Sequence, residues 1–200
     1  MATKRKRGRP PEHPDRRESI LEAALACFVE RGFHGTAIPR IAAEARIAPG
    51  TIYHYFDSKE AMVNALYRKW KTEVAQRVFA AFPPDAPPRQ QVAAVWDQMV
   101  AFALAHPAAF AFIELHNHSS YLDDESRNVD RTLKDFASAM IRRAQDQGVV
   151  KSLPAPVLME LVFGAFTGMM RAHWERRIEL TPEVLREAEQ ACWDTVATHC

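Results

Sequence analysis

The stretch Thr36–Glu60, "TAIPRIAAEARIAPGTIYHYFDSKE", decides the fold. It reads as two short helices joined by a turn at residues 45–47, with the start of a third helix behind them. Thr36 is placed to cap the first, which runs through Glu44. Pro39 is tolerated there because the first turn has no partner for the N–H that proline lacks. Pro49 and Gly50 open the second helix, which lasts only about two turns before Ser58 caps the next one, with Glu60 in its first turn. Two helices so joined have the dimensions of a helix-turn-helix, whose second member enters the DNA major groove. The residues at 53–56 suit that role. Tyr53, His54 and Tyr55 each offer flat apolar surface ending in a hydrogen-bonding tip. Core packing is the competing reading, and it is the better one for Phe56, which can rest on Phe28 and Ile41. Gly50 permits close approach to a backbone, and Lys59 suits a phosphate.

Outward from this stretch the chain predicts an all-α protein. A first helix begins near Asp15, whose carboxylate stands three residues before Glu18 as in a capping box, and ends at Gly32. The helix capped by Ser58 runs to about Phe82, where "PPDAPP" at 83–88 breaks the chain. Further helices are expected at about 89–105, 108–117, 124–147, 155–177 and 182–198, punctuated by Pro107, Asp123, Gly148, Pro154 and Pro182. No segment alternates like a strand.

Composition sets the class. Of 200 residues, 48% are hydrophobic, enough to bury a core. Cys27, Cys192 and Cys200 form an odd, scattered set, which argues against a disulfide framework and for a reducing cytoplasm. Neither an apolar run near eighteen residues nor a signal peptide is present, so no membrane partner is expected. Residues 1–71 carry 14 Lys/Arg against 8 Asp/Glu, and residues 72–200 carry 12 against 17. A basic module for a polyanion followed by an acidic module with another task fits that split.

The segment "GFHGTAIPRIAAEARIAPGTIYHYFDSKEAMV" resembles the DNA-binding signature of the TetR family of bacterial repressors, closely over about residues 16–66. The resemblance implies a helix-turn-helix domain over 15–60 and a ligand-binding and dimerisation domain over 61–200; the basic arm before them, 1–14, is expected to be disordered off DNA. It further implies that Thr36, Arg40, Pro49, Gly50, Thr51, Tyr53, His54, Tyr55 and Lys59 lie at or near DNA. Arg40 and His54 are the candidates for base edges; Thr36, Tyr53 and Lys59 are those for phosphates. Three positions depart from the family pattern. Ala37 replaces a threonine, Arg46 replaces the glycine of the turn, and Ala48 replaces a capping serine. Arg46 is then expected in a left-handed conformation, with a phosphate within its reach. In the arm, Arg7-Gly8-Arg9-Pro10 resembles an AT-hook for the minor groove, against the plainer reading of a charged tail on phosphates.

For the acidic half the resemblance implies a small-molecule inducer and a homodimer built on the last two helices. Trp96, Met99, Phe102, Phe110, Phe112, Phe163, Phe166, Met170 and Trp174 are the bulky candidates for an apolar or amphipathic ligand, with His116 as a polar one; core packing must claim more than half of the bulk. Gly164, Gly168 and Ala172 make a smooth stripe, and Val184, Ala188, Ala191 and Thr195 follow on the last helix. Glu114 and His118, one turn apart, with His116 nearby, could share a metal ion but more often cap a helix or line a polar corner. The expected function is a ligand-responsive repressor that binds a palindromic double-stranded DNA operator as a dimer, without a cofactor and without enzymatic activity. The alternatives are a DNA-binding architectural factor answering to a protein partner, and a metal-dependent enzyme using the Glu114/His116/His118 cluster.

Overall fold

Residues 14–198, described in the computed structural model, fold into nine helices and no strand. The arm with Arg7 and Arg9, and Cys200, lie outside these residues. The first helix, α1, spans Pro14–Gly35. Its path changes at Gly32, where φ is 68° and ψ 176°, a conformation in which a side chain would be strained. Helix α2 (Ile38–Glu44) and α3 (Pro49–Ile52) follow. They bury Ile41, Ala42 and Ile52 against α1, joining Ile20, Ala24, Phe28 and Phe56 in one core.

Helix α4 (Lys59–Ala81) starts at Ser58, whose side chain accepts the Ala61 N–H. Its first two turns bury Met62, Val63 and Leu66 in that same core. The boundary placed at residue 60 therefore falls where the chain enters a helix shared by both halves. Helix α5 (Pro88–Ala105) bends by 110° at His106 into the short α6 (Pro107–Phe110) and a π-helical turn, Ala111–Leu115. The helix expected over 108–117 thus ends early. Helices α7 (Asp124–Asp146), α8 (Ala155–Trp174) and α9 (Pro182–Val196) complete the bundle. Asp123 and Thr181 cap α7 and α9 with side-chain bonds to Ser126 N–H and Val184 N–H. One core joins α1 to the second half, Phe28 stacking on Phe112 of the π turn at 6.1 Å, and a second cluster gathers Ala144, Leu158, Trp193 and Val196 of α7, α8 and α9.

Among the described residues one helix, α8, is long and apolar enough to cross a membrane. It escaped the sequence reading because Glu160 and Arg171 interrupt its apolar run. Leu158, Phe166 and Met170 are buried in the bundle, while Val157 and Leu161 are exposed.

Candidate nucleic-acid interface and cavity

The turn between α2 and α3 holds Arg46 in the left-handed region at φ 56°, closed by Ile47 N–H to the Ala42 carbonyl at 2.9 Å. Ala48 sits at the N-cap of α3 without a side-chain bond, and α3 keeps a single regular turn. Bonds from His54, Tyr55 and Phe56 N–H back to residues 51 and 52 extend the coil irregularly. Ile52 and Phe56 point inward and are buried; Arg46, Pro49, Gly50, Tyr53 and His54 are exposed, with Tyr53 at 56%. Tyr55 is half-buried and packs on the core, and Thr51 is half-buried. A Cβ added at Gly50 would meet nothing within 4 Å, and its φ needs no glycine. Nothing inside the protein therefore requires glycine there. Arg40 is exposed on α2, 3.9 Å from the Glu30 carboxylate, a surface pair of little energetic weight.

Two of the expected phosphate contacts are committed elsewhere. Thr36 does not cap α2; Ala37 stands at that N-cap. The Thr36 hydroxyl lies 2.8 Å from the Gly32 carbonyl and 3.0 Å from that of Cys27, and the residue is 1% exposed. The Lys59 ammonium donates to the Phe33 carbonyl at 2.6 Å and the Thr36 carbonyl at 2.8 Å, over the Phe33 ring. Both side chains instead fasten the exit of α1, whose last carbonyls have no helical partner. Lys59→Met should cost about 2 kcal/mol of stability, since two charge-assisted bonds are lost, the Thr36 carbonyl loses its donor and the Phe33 carbonyl keeps only the Thr36 N–H at 3.3 Å. Urea titration of the two proteins checks it.

The second feature is a cavity of about 500 Å³ between α4, α5, α7 and α8. Four of the expected ligand residues line it: Trp96, Met99, His116 and Phe163. The others are placed in the surrounding core. Phe102 packs edge-on to Trp70, and Phe112 lies against Phe28 and His118. Phe110 meets Phe166 and Trp174, and Phe166 and Met170 are fully buried. Bulk alone did not separate wall from core. The missing wall is α7, whose Leu133, Phe136, Ala137, Met140 and Ile141 face inward at helical spacing. That period was readable in residues 124–147.

One end of the cavity is polar. The Lys71 ammonium, on a side chain 9% exposed, donates to Glu114 Oε1 at 2.9 Å and lies 3.1 Å from Asp130 Oδ1. Tyr67 OH donates to the same Asp130 oxygen at 3.1 Å, and Lys134 Nζ is 2.6 Å from Asp130 Oδ2. Burial works against the Lys71 charge, but Glu114, Tyr67 and Asp130 outweigh it and hold its pKa above the ordinary value. Burial also opposes Asp130 ionisation, yet Lys71 and Lys134 carry its pKa below the usual carboxylate range. Glu114 is raised by burial in spite of Lys71. Lys71 has a second, well-ionised partner in Asp130, so the lysine stays cationic and Glu114 is the first to take a proton. A buried lysine in α4 was the signal that sequence reasoning missed.

The i, i+4 relation of Glu114 and His118 is broken because the chain turns extended at His116 (φ −103°, ψ 134°). Glu114 belongs to Lys71, and His118 Nε2 meets the Phe112 carbonyl at 2.7 Å. His173 Nδ1 faces the Ile178 carbonyl. Among the described residues no group of three His, Cys, Asp or Glu side chains could hold a metal ion.

The loop 116–123 joins cavity and interface. His116, Asn117, His118, Ser119 and Leu122 line the cavity. Tyr121, between them, stacks on Phe33 at 3.9 Å and places its hydroxyl 2.7 Å from His34 Nε2. Asn64 of α4 pins this loop, donating to the Tyr121 carbonyl at 2.7 Å and accepting the Asp123 N–H at 2.8 Å.

On the far side, Val157, Leu161, Gly164, Val184, Ala191 and Thr195 are exposed on α8 and α9, and Gly168 and Ala188 are half-buried. A Cβ at Gly164 or Gly168 would meet nothing within 4 Å. Ala172 is 6% exposed and turned into the bundle, so it leaves the expected stripe.

The chain matches the tetR family of bacterial regulatory proteins over residues 20–66 and the tetracyclin repressor-like C-terminal domain over 67–198. It is 30% identical over 155 residues to the HTH-type transcriptional repressor NicS of Pseudomonas putida, covering 74% of this chain and 71% of that protein. Against the HTH-type transcriptional regulator BetI of Brucella anthropi it is 28% identical over 115 residues, 57% of this chain, and spans 59% of that relative's length. A TetR family transcription regulator of Marinobacter aquaeolei VT8 shares the fold at a TM-score of 0.81 and 23% identity, over 92% of this chain and 96% of that one.

Proposed function

We propose a function from one premise: the chain belongs to the TetR family of bacterial transcriptional regulators. In our reading it is a ligand-responsive repressor that binds a palindromic operator as a homodimer and is released by an apolar or amphipathic small molecule. One observation carries the DNA half. Exposed Tyr53 and His54 sit on a coil that Ile52 and Phe56 anchor from inside, beside a glycine that nothing internal requires. Gly50 keeps room for a sugar-phosphate backbone, Arg40 and His54 read base edges, and Arg46 and Tyr53 reach phosphates. The open apolar strip of α8 and α9 supports pairing with a second copy, which would set two recognition helices about one DNA turn apart.

The cavity supports a small molecule over a protein partner as the controlling signal, since its size is that of ordinary ligand sites and its wall is mostly apolar. Ligand binding would favour one spacing of the recognition helices over another. Helix α4 and the loop 116–123 both run from the cavity wall to the α1 exit.

Tyr53→Phe removes a phosphate hydroxyl but keeps the ring, so binding should weaken alike on all duplexes. His54→Ala should instead change the preferred operator variants, by about tenfold at one base pair. Selection from random duplexes followed by titration of both variants tests this reading. Unchanged affinity and preference in both would remove the DNA role of this coil.

A further inference from the structure

The unclaimed groups buried deepest at the polar end of the cavity, on His118 and Glu114, are hydrogen-bond acceptors, whereas Asn117, which has an unused amide donor, is exposed. His118 lies in the wall, 95% buried, and its Nε2 meets a backbone carbonyl, which can only accept. Nε2 therefore carries a proton. Burial keeps the imidazole below its ordinary pKa, so the ring is neutral and Nδ1 is a bare acceptor. That Nδ1 is buried without a partner. Among the described residues Glu114 receives one bond, from Lys71 on Oε1, which leaves its second oxygen available. The buried cation there is committed: Lys71 lies between two carboxylates, while Lys134, which sits on Asp130, has a side chain 58% exposed and reaches toward solvent. An anionic head at the buried end would lie beside Glu114 and compete with two carboxylates for Lys71, and a buried charge without its own partner is costly.

We propose that the cavity selects apolar molecules whose head is a non-acidic hydrogen-bond donor, a hydroxyl or an amine, received by Glu114 and His118, and rejects carboxylates of the same chain length. The head fills the end walled by α4, the π turn and the loop 116–123. The chain lies along Trp96, Met99, Phe136, Met140 and Phe163. This selectivity rests on the reading of the cavity as a small-molecule site, and the test separates the two.

Full-length protein is titrated by calorimetry, below their micelle concentrations, with decan-1-ol, decylamine, methyl decanoate and decanoate. The alcohol and the amine should bind at least tenfold tighter than the ester, which accepts but cannot donate, and decanoate should bind weakest. Glu114→Gln should weaken decylamine about tenfold and the alcohol less. Should that variant fold poorly in a thermal scan, the ranking on the unaltered protein decides alone. Decanoate binding as tightly as the alcohol overturns the donor-head selectivity and leaves the small-molecule site standing. No binding by any of the four overturns both.

Discussion

Lys71→Met should lower the free energy of unfolding by about 3–5 kcal/mol near neutral pH, the range seen when one partner of a buried ion pair is removed. Methionine fills nearly the same volume, so the loss is electrostatic. Glu114 would stay buried without its one hydrogen-bond donor, and Asp130 would keep only Lys134 and Tyr67. The deficit has a pH signature. Glu114 already has a raised pKa from burial, and losing Lys71 raises it further. A carboxyl whose folded pKa exceeds its unfolded value gains stability as pH falls toward the carboxylate range. In the unaltered protein Asp130 opposes that gain, because its lowered pKa, held down by Lys71 and Lys134, gives stability that fades as pH drops through it. The gap between the two proteins should therefore narrow on acidification. Adding Glu114→Leu to Lys71→Met should recover most of the loss at neutral pH. Denaturant melts at several pH values measure all three, and a gap that does not change with pH would mean that Glu114 is not the stranded charge.

That cluster also shows where sequence reading stopped. The helix-turn-helix was legible because its signals are local: Pro49 and Gly50 at a helix start, Ser58 as a cap, and an apolar Ile41-Ala42 pair. Each depends on neighbours within a few residues. Thr36 and Lys59 were misassigned for the opposite reason. Their partners are carbonyls of α1 and of the turn just after it, up to 26 residues away, and a lysine beside a helix start looks the same whether it meets a phosphate or a carbonyl. The cavity wall failed similarly. Aromatic bulk marks burial but not which side of a buried helix is empty, so Phe102, Phe110 and Phe166 could not be told from Trp96 and Phe163. Amphipathic spacing on α7 would have been the better guide, since the apolar face of a charged helix must meet something. The break at His116 was not readable at all, because the π turn that precedes it is fixed by packing on Phe28 and by the Lys71–Glu114 bond.

Tyr121→Ala should uncouple the two halves while leaving each able to bind. Tyr121 does not line the cavity, so affinity for the cavity occupant should stay within about twofold. Nor does it belong to the exposed face of α3, so the operator should still be bound without ligand. What the substitution removes is the stack on Phe33 and the bond to His34. Those contacts tie the cavity-lining loop to the last turn of α1, from which Thr36 and Lys59 hold the start of α2. Coupling between two such sites amounts to roughly 5–150-fold in affinity, about 1–3 kcal/mol, and if the loop carries most of it the ligand should release DNA by only a few-fold in the variant. Tyr121→Phe keeps the stack and loses the His34 bond, so it should fall between. Operator titrations with and without saturating ligand measure the effect. Linkage supplies an independent check, because the factor by which operator weakens ligand binding must shrink by the same amount. Full coupling in Tyr121→Ala would assign transmission to α4 alone, through Asn64 and Lys71, and the loop would be only a wall. Reduced coupling together with weaker ligand binding would mean that the loop had collapsed into the cavity. Tyr121→Phe then decides, since with the ring still stacked the wall is kept and only the bond between the halves is missing.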